Sequence, residues 1–177
     1  IQVAEKNQVP IVSGSSTADD LTVTNGKVNE YVFRLCFNDS FQGTSAANYS
    51  SEKLGAKTAV IIKDNSNDYS KGLAASFDAQ FKANGGTIVG EEAYAKGERN
   101  FNSILTKIKG QSFDVIYLPG YYEEAGPAIK QARELGITAA ILGADGYDSP
   151  KLAEAAGAGL TDVYFTNHYS SADSDPK

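Results

Sequence analysis

The chain alternates short runs of β-branched and aromatic residues with longer segments whose apolar positions recur every three or four residues. Runs of the first kind predict strands, and segments of the second kind predict amphipathic helices. Strands are predicted over Val9–Ser13 and Tyr31–Leu35, followed by a helix from Ser40 to Leu54. Thr58–Ile62 is continuously apolar after its first residue, as expected of a parallel strand buried on both faces. From Ser70 to Ala83, Leu73, Phe77 and Phe81 fall on one helical face, and Asn84-Gly85-Gly86 supplies the stop. A strand begins over Thr87–Glu91, and Phe101, Ile104, Leu105 and Ile108 mark a further helix closed by Gly110.

The strand predicted over Asp114–Leu118 leads through Pro119-Gly120-Tyr121-Tyr122 into a helix. Glu123 and Glu124 stand at the positive end of that helix, with Lys130 and Arg133 toward its negative end and Gly136 as the C-cap. Pro127 is expected in the first turn, where a missing N–H costs little. Ala139–Gly143 is a strand, Ser149-Pro150 starts a helix, Asp162–Phe165 closes the series, and Ser170–Lys177 is a polar tail. This alternation predicts the α/β class, with a doubly wound, mostly parallel sheet and helices on both faces.

Composition narrows the function. The 177 residues suffice for one domain, or one and part of another. A formal net charge of -6, with no window rich in Lys and Arg, argues against nucleic acid as a partner. Cys36 is the single cysteine, which excludes an internal disulfide and a thiolate metal cluster. The absence of methionine is expected of a mature form or an excised piece. No apolar run approaches the roughly 20 residues that span a bilayer.

Catalytic signatures are mostly missing. His168 is the sole histidine, and no G-x-S-x-G elbow accompanies it. Neither His168 nor Asp145 has an evident partner in the sequence. Gly85-Gly86 and Gly157-Ala158-Gly159 match no dinucleotide or phosphate loop, so no cofactor is expected, and the acidic residues follow no calcium-loop spacing. What remains is a set of polar groups at predicted strand ends: Ser15, Thr17, Tyr69, Tyr121 and Asp145. Each alone has an ordinary explanation, as a helix N-cap, a surface tyrosine or an Asx turn. Together they suit a zwitterion. Hydroxyl and backbone N–H groups at a helix start favour a carboxylate, a carboxylate with a carbonyl and a hydroxyl favours an ammonium, and tyrosine gives an apolar wall with a polar tip. A free amino acid is the simplest occupant.

The motifs Ile11-Val12-Ser13-Gly14-Ser15-Ser16-Thr17, Phe41-Gln42-Gly43, Tyr69-Ser70-Lys71-Gly72-Leu73, Gly120-Tyr121-Tyr122-Glu123-Glu124 and Gly143-Ala144-Asp145-Gly146 resemble the leucine/isoleucine/valine-binding proteins. These are type I solute-binding proteins of ABC importers. The resemblance covers essentially the whole chain, and Phe41-Gln42-Gly43 with Asp145-Gly146-Tyr147-Asp148-Ser149-Pro150 is similar to the Gram-positive version. It implies two α/β lobes closing on an amino acid, an ABC permease as partner, and an extracellular place with a lipid anchor as the sole membrane attachment, a periplasmic place being the alternative.

Carried over, Ser15 offers its carbonyl to the ligand ammonium and Thr17 its N–H and hydroxyl to the ligand. Tyr69 and Tyr121 cover the ligand, and Asp145, where the best-known members carry Glu, pairs with the ammonium. Tyr122 faces away. By the same resemblance residues 1–35 belong to an incomplete first lobe and hinge, 36–169 to the second lobe, and 170–177 to the start of a return segment. The strands of residues 1–35 are then expected to pair in a lobe the chain lacks, their apolar surface being covered by a second copy in a homodimer. Two other readings stay open: the sensory domain of a receptor, and a flavodoxin-like enzyme, which the missing phosphate loop disfavours.

Overall fold

The computed structural model describes residues 1–170. Its first part contains helix α1 (Gln2–Asn7), strand β1 (Ile11–Ser13), the short strands β2 (Val23–Thr24) and β3 (Lys27–Val28), and β4 (Val32–Arg34). There follow α2 (Asp39–Glu52), β5 (Thr58–Asp64), α3 (Asp68–Ala83), β6 (Thr87–Tyr94), α4 (Asn102–Lys109) and β7 (Val115–Tyr117). The series ends with α5 (Tyr122–Glu134), β8 (Ala140–Gly143), α6 (Pro150–Ala156) and β9 (Val163–Phe165). The last five strands form one sheet in the order β6-β5-β7-β8-β9, parallel throughout. From β5 the chain goes first to one side and then to the other, so β5 and β7 flank the switch point of a doubly wound sheet.

Two-sided burial of β5 and β7 explains why helices cover both faces. Ala59 and Ile61 of β5, with Val115 and Tyr117 of β7, pack against Leu73, Phe77 and Phe81 of α3 and Ala46 and Ala47 of α2. The alternate residues Val60, Ile62 and Ile116 pack on the opposite face against Leu105 and Ile108 of α4, Ile129 of α5 and Leu152 of α6. Successive strand residues point to opposite faces, so a run without polar residues must be covered twice. The starts of α2, α3 and α6 are set by side-chain caps. Asn38, Asn67 and Ser149 accept from the N–H groups of Phe41, Tyr69 and Lys151 at 3.0, 3.0 and 3.3 Å.

Several expectations need correction. Pro127 lies in the second turn of α5, because the helix already begins at Tyr122. Its ring nitrogen has no hydrogen for the Glu123 carbonyl four residues back, and the Arg99 guanidinium donates to that carbonyl instead. The two early strands pair with each other: β1 and β4 run parallel in register Ile11↔Val32, as a sheet separate from the five-stranded one. Their outer surface stays open, with Val12, Phe33 and Leu35 exposed. No α-helix follows Thr17. The chain makes a single 3-10 turn, Asp19–Leu21, and then a hairpin of β2 and β3 around Asn25-Gly26, both at positive φ (50° and 75°). That dipeptide is a strong hairpin signal that hydrophobic periodicity does not reveal. Residues 171–177 of the expected return segment lie outside the described residues.

The α2–α3 crossing is close at Gly43, where a Cβ would lie 2.6 Å from Ser76 Cβ and 2.8 Å from the Leu73 carbonyl oxygen. Gly43→Ala is therefore expected to destabilise the fold by about 1–3 kcal/mol, because neither backbone can yield cheaply. Gly110→Ala, in open space at an ordinary φ of -76°, is expected to be neutral or stabilising by up to about 1 kcal/mol. Urea unfolding of both variants checks the contrast, and equal effects would contradict the crossing geometry.

Asp39, the first residue of α2, is 2% exposed and its Oδ1 has no hydrogen-bond partner. Burial pushes its carboxyl up to about 6, aided by the negative charges of Asp19 and Asp145 and opposed by the Thr17 side chain and Arg34. Between the ordinary value of 3.8 and about 6, the folded state holds the proton more tightly than the unfolded state. Stability therefore falls as pH rises through that window. Asp39→Asn is expected to stabilise the protein at neutral pH by about 1–3 kcal/mol more than at pH near 4. Denaturant titrations at both pH values test this, and equal effects would show that the carboxyl titrates in its usual range.

Candidate functional site

The carboxyl ends of β5, β7 and β8 deliver three groups to one cleft of about 460 Å³: Tyr69, Tyr121 and Asp145. The opposite wall is the loop after β1, with Ser15, Ser16 and Thr17. All five candidate residues therefore line a single cavity at the sheet's switch point. Tyr122 does not; it packs partly buried against the core shared with α5.

Packing determines where these loops sit. Tyr147, buried beneath the turn after β8, donates to the Leu118 carbonyl at 2.6 Å. A Cβ at Gly143 would fall 2.3 Å from the Tyr147 ring, and one at Gly146 would fall 2.4 Å from the Gly120 carbonyl oxygen. The Asp145 turn thus presses directly on the Tyr121 loop, and only glycine permits the approach. Ser70 ties in the third loop: its hydroxyl donates to the Pro119 carbonyl at 2.6 Å and accepts from Asp64 N at 2.9 Å.

Asp145 is the polar centre. Its Oδ1 accepts from Gln42 Nε2 at 3.0 Å and from the Tyr69 hydroxyl, and its Oδ2 lies 2.9 Å from His168 Nε2. Gln42 is fully buried at the foot of the site. Its Oε1 accepts from Asp145 N at 3.2 Å and from the Thr166 hydroxyl at 2.6 Å, which fixes the amide orientation. The expectation that Asp145 and His168 lack partners is thus overturned: they are each other's partner, and Asp145 has two more. Sequence distance hid this, since Gln42 and Asp145 are 103 residues apart. No local pattern marks Gln42, Asp39 or Thr166 as site residues, and the sequence offers His168 only as a base without a partner.

The tyrosines form the apolar wall, with ring centroids 5.1 Å apart and planes at 30°. Burial, then the Asp145 carboxylate, holds the Tyr69 hydroxyl far above the usual phenol range, so it stays a donor. The Tyr69 oxygen also accepts from Gly146 N at 3.1 Å. Burial likewise raises the Tyr121 hydroxyl, while a hydrogen bond with Asn67 opposes the shift.

The β1 loop is held from outside. Asp39 N donates to the Thr17 carbonyl at 2.9 Å, and Arg34 Nη1 donates to the Thr17 and Ala18 carbonyls at 3.2 and 2.7 Å. Asp19 accepts from the Ser40 N–H and hydroxyl at 3.0 and 2.7 Å. With no helix after Thr17, the expected helix-start N–H groups do not exist as such, and the Ser16 N–H is taken by the Ser13 hydroxyl at 2.9 Å. Among the described residues, no group of three or more His, Cys, Asp or Glu could hold a metal ion. A second cleft of about 450 Å³, between α2 and β9, has mainly apolar walls and gathers no comparable set of polar groups.

Similarity to known proteins identifies the family. A family model described as periplasmic binding protein matches residues 1–177. An amino acid binding protein of Pseudomonas aeruginosa is 34% identical over 157 residues, covering 84% of this chain and 42% of that protein. The Leu/Ile/Val-binding protein BraC3 of Rhizobium johnstonii is 37% identical over 144 residues, covering 81% of this chain and 38% of that one. Among solved structures, the branched-chain amino acid transporter substrate-binding protein LivJ of Streptococcus pneumoniae, in complex with isoleucine, is 43% identical with a TM-score of 0.84 over 93% of this chain and 46% of its own. The leucine-binding protein LivK of Thermotoga maritima is 38% identical with a TM-score of 0.90, covering 99% of this chain and 49% of its own. The chain spans less than half the length of each of these relatives, all of them named as binding proteins. By the whole-length match of the family model and by relatives above 30% identity, this chain belongs to the periplasmic binding protein family.

Proposed function

We propose that the cleft between the β1 loop and the ends of β5, β7 and β8 binds a branched-chain amino acid as its zwitterion, for delivery to an ABC importer. The observation that carries this reading is the Asp145 carboxylate, only 13% exposed along its side chain, standing beside a tyrosine wall and opposite Ser15 and Thr17. An ammonium is the natural partner of such a carboxylate, and an aliphatic side chain is the natural neighbour of stacked tyrosine rings. The names of the relatives, amino acid and Leu/Ile/Val-binding proteins, point the same way.

In this reading Ser15 offers its carbonyl to the ammonium and Thr17 its N–H and hydroxyl to the ligand, while Tyr69 and Tyr121 cover the ligand from above. Residues 1–35 are part of a first lobe and hinge, and 36–169 are the second lobe. The open apolar face of β1 and β4 is then the surface on which the remainder of the first lobe packs, an alternative to the homodimer expected from the sequence. The protein works outside the cytoplasmic membrane, as a lipid-anchored protein of a Gram-positive cell.

Calorimetry of the full-length protein with leucine, isoleucine, valine and a panel of sugars tests the assignment. Heat with the amino acids is expected, and a profile restricted to sugars would overturn it. Asp145→Ala is expected to weaken amino-acid binding by about 2–5 kcal/mol, the usual cost of removing one partner of a buried charge pair. Unchanged affinity would reduce Asp145 to a turn residue. Tyr121→Ala should cost more affinity than Tyr122→Ala, because Tyr121 lines the cleft and Tyr122 packs in the core; binding measurements giving the reverse order would assign the wall to the wrong tyrosine.

A further inference from the structure

His168 reaches the site from the far end of the described chain, just after β9. Its imidazole stacks on Phe37, with centroids 3.9 Å apart and planes 11° apart. Phe37 lies on the link between β4 and α2, so the ring is braced from one side while Nε2 lies 2.9 Å from Asp145 Oδ2. This placement matters because of how the carboxylate is already used. An ionised carboxylate has about four acceptor positions. Gln42 and Tyr69 fill the two on Oδ1. Oδ2 is therefore the oxygen with room for an ammonium, and His168 already holds its other position.

Resting on the amino-acid reading of the cleft, we propose that His168 is an internal competitor for Asp145, whose protonation opposes the ligand's ammonium and makes ligand capture proton-linked. A neutral imidazole donates its Nε2–H to Oδ2 and leaves the negative charge of Asp145 to the ligand. The imidazolium neutralises that charge and sets a like charge beside the incoming ammonium. Histidine changes charge in the range between about pH 8 and pH 5, where a free amino acid keeps both of its own charges. His168 is suited to respond, since its side chain is 32% exposed and can exchange protons with solvent.

Other titratable groups face Asp145 from the elements packed on it. Tyr69, Tyr117 and Tyr121 are held protonated by burial and by the acidic groups near them. Asp19 and Arg34 act on Asp39 at the start of α2, the first raising the pKa of its carboxyl and the second lowering it. Asp39 is the one that also titrates there, at about 6. Its loss of charge on acidification likewise weakens the pull on an ammonium. The test must therefore separate Asp39 from His168.

Leucine affinity of the full-length protein is to be measured by calorimetry at about pH 8 and about pH 5, in the parent, His168→Gln and Asp39→Asn. In parallel, the His168 imidazole resonance is followed against pH with and without saturating leucine, its assignment given by its loss in His168→Gln. The parent is expected to lose about tenfold in affinity on acidification. Most of that loss should persist in Asp39→Asn and disappear in His168→Gln. By reciprocity, leucine should move the His168 protonation midpoint to lower pH. An affinity independent of pH in the parent, the same decline in His168→Gln, or an unmoved midpoint under leucine would each overturn the proposal while leaving the amino-acid reading intact. Absence of leucine, isoleucine and valine binding at about pH 8 would instead sink that reading, and this proposal with it.

Discussion

A carboxylate at the end of a buried strand must be given donors, and the position of Asp145 imposes that demand on three distant parts of the chain. Gln42 comes from α2, Tyr69 from the start of α3, His168 from the segment after β9, and the backbone of the Asp145 turn is locked to Gln42 in return. Each donor is itself oriented by another contact: Gln42 by the Thr166 hydroxyl, Tyr69 by Gly146 N, His168 by the Phe37 ring. A polar network of this kind is useful only when its members are satisfied, since a stranded member would cost more than the network returns. The result is a carboxyl group held in place by the fold itself, with partners on both of its oxygens.

The five-stranded sheet makes that convergence possible. Because β5, β7 and β8 are parallel neighbours, their carboxyl ends open on the same edge, and residues separated by dozens of positions meet without long loops. The close contacts of Gly143 with Tyr147 and of Gly146 with Gly120 then remove the freedom that such loops would otherwise have. Rigid scaffold and adapted loop are thus the same packing problem. The side chains that fill the core beneath the site, Tyr117 and Tyr147 among them, are also those that set the height of the loops above it.

How much of this was legible in the sequence depended on the range of the interaction involved. Local patterns carried the fold: the unbroken apolar run after Thr58 and the four-residue spacing of Leu73, Phe77 and Phe81 each mapped onto an element with the expected buried face. Tyr69, Tyr121 and Asp145 were also locatable, because strand ends in an alternating α/β chain share one edge, whereas Ser15 and Thr17 follow a strand of the separate two-stranded sheet and face them across the cleft. The partners of Asp145 were not, because a glutamine in a helix 103 residues away has no local feature that marks its role. Pro127 misled for a related reason. Its ordinary place is the first turn, and the structure accommodates it in the second only because Arg99, from a separate loop, supplies the hydrogen bond that proline withholds. The Asn25-Gly26 hairpin is different, since its signal is local but lies in turn chemistry rather than in hydrophobic spacing.

The two walls of the cleft are not equally secured, and this bears on how it would work. Tyr69, Tyr121 and Asp145 stand on loops braced by the core and by one another. Ser15 and Thr17 stand on a loop from a two-stranded sheet that shares no ladder with the larger one. What holds that loop opposite Asp145 is a handful of bonds at its rim: Asp39 N to the Thr17 carbonyl, Arg34 to the Thr17 and Ala18 carbonyls, and Asp19 to Ser40. Most of these bonds meet the first turn of α2, beside the buried Asp39 carboxyl that titrates near 6. A ligand that binds both walls adds its own contacts to this small set, so it changes the balance of the weaker attachment far more than that of the stronger. In the amino-acid reading, a ligand bridging Thr17 and Asp145 would add to the few bonds that seat the β1 loop against the start of α2.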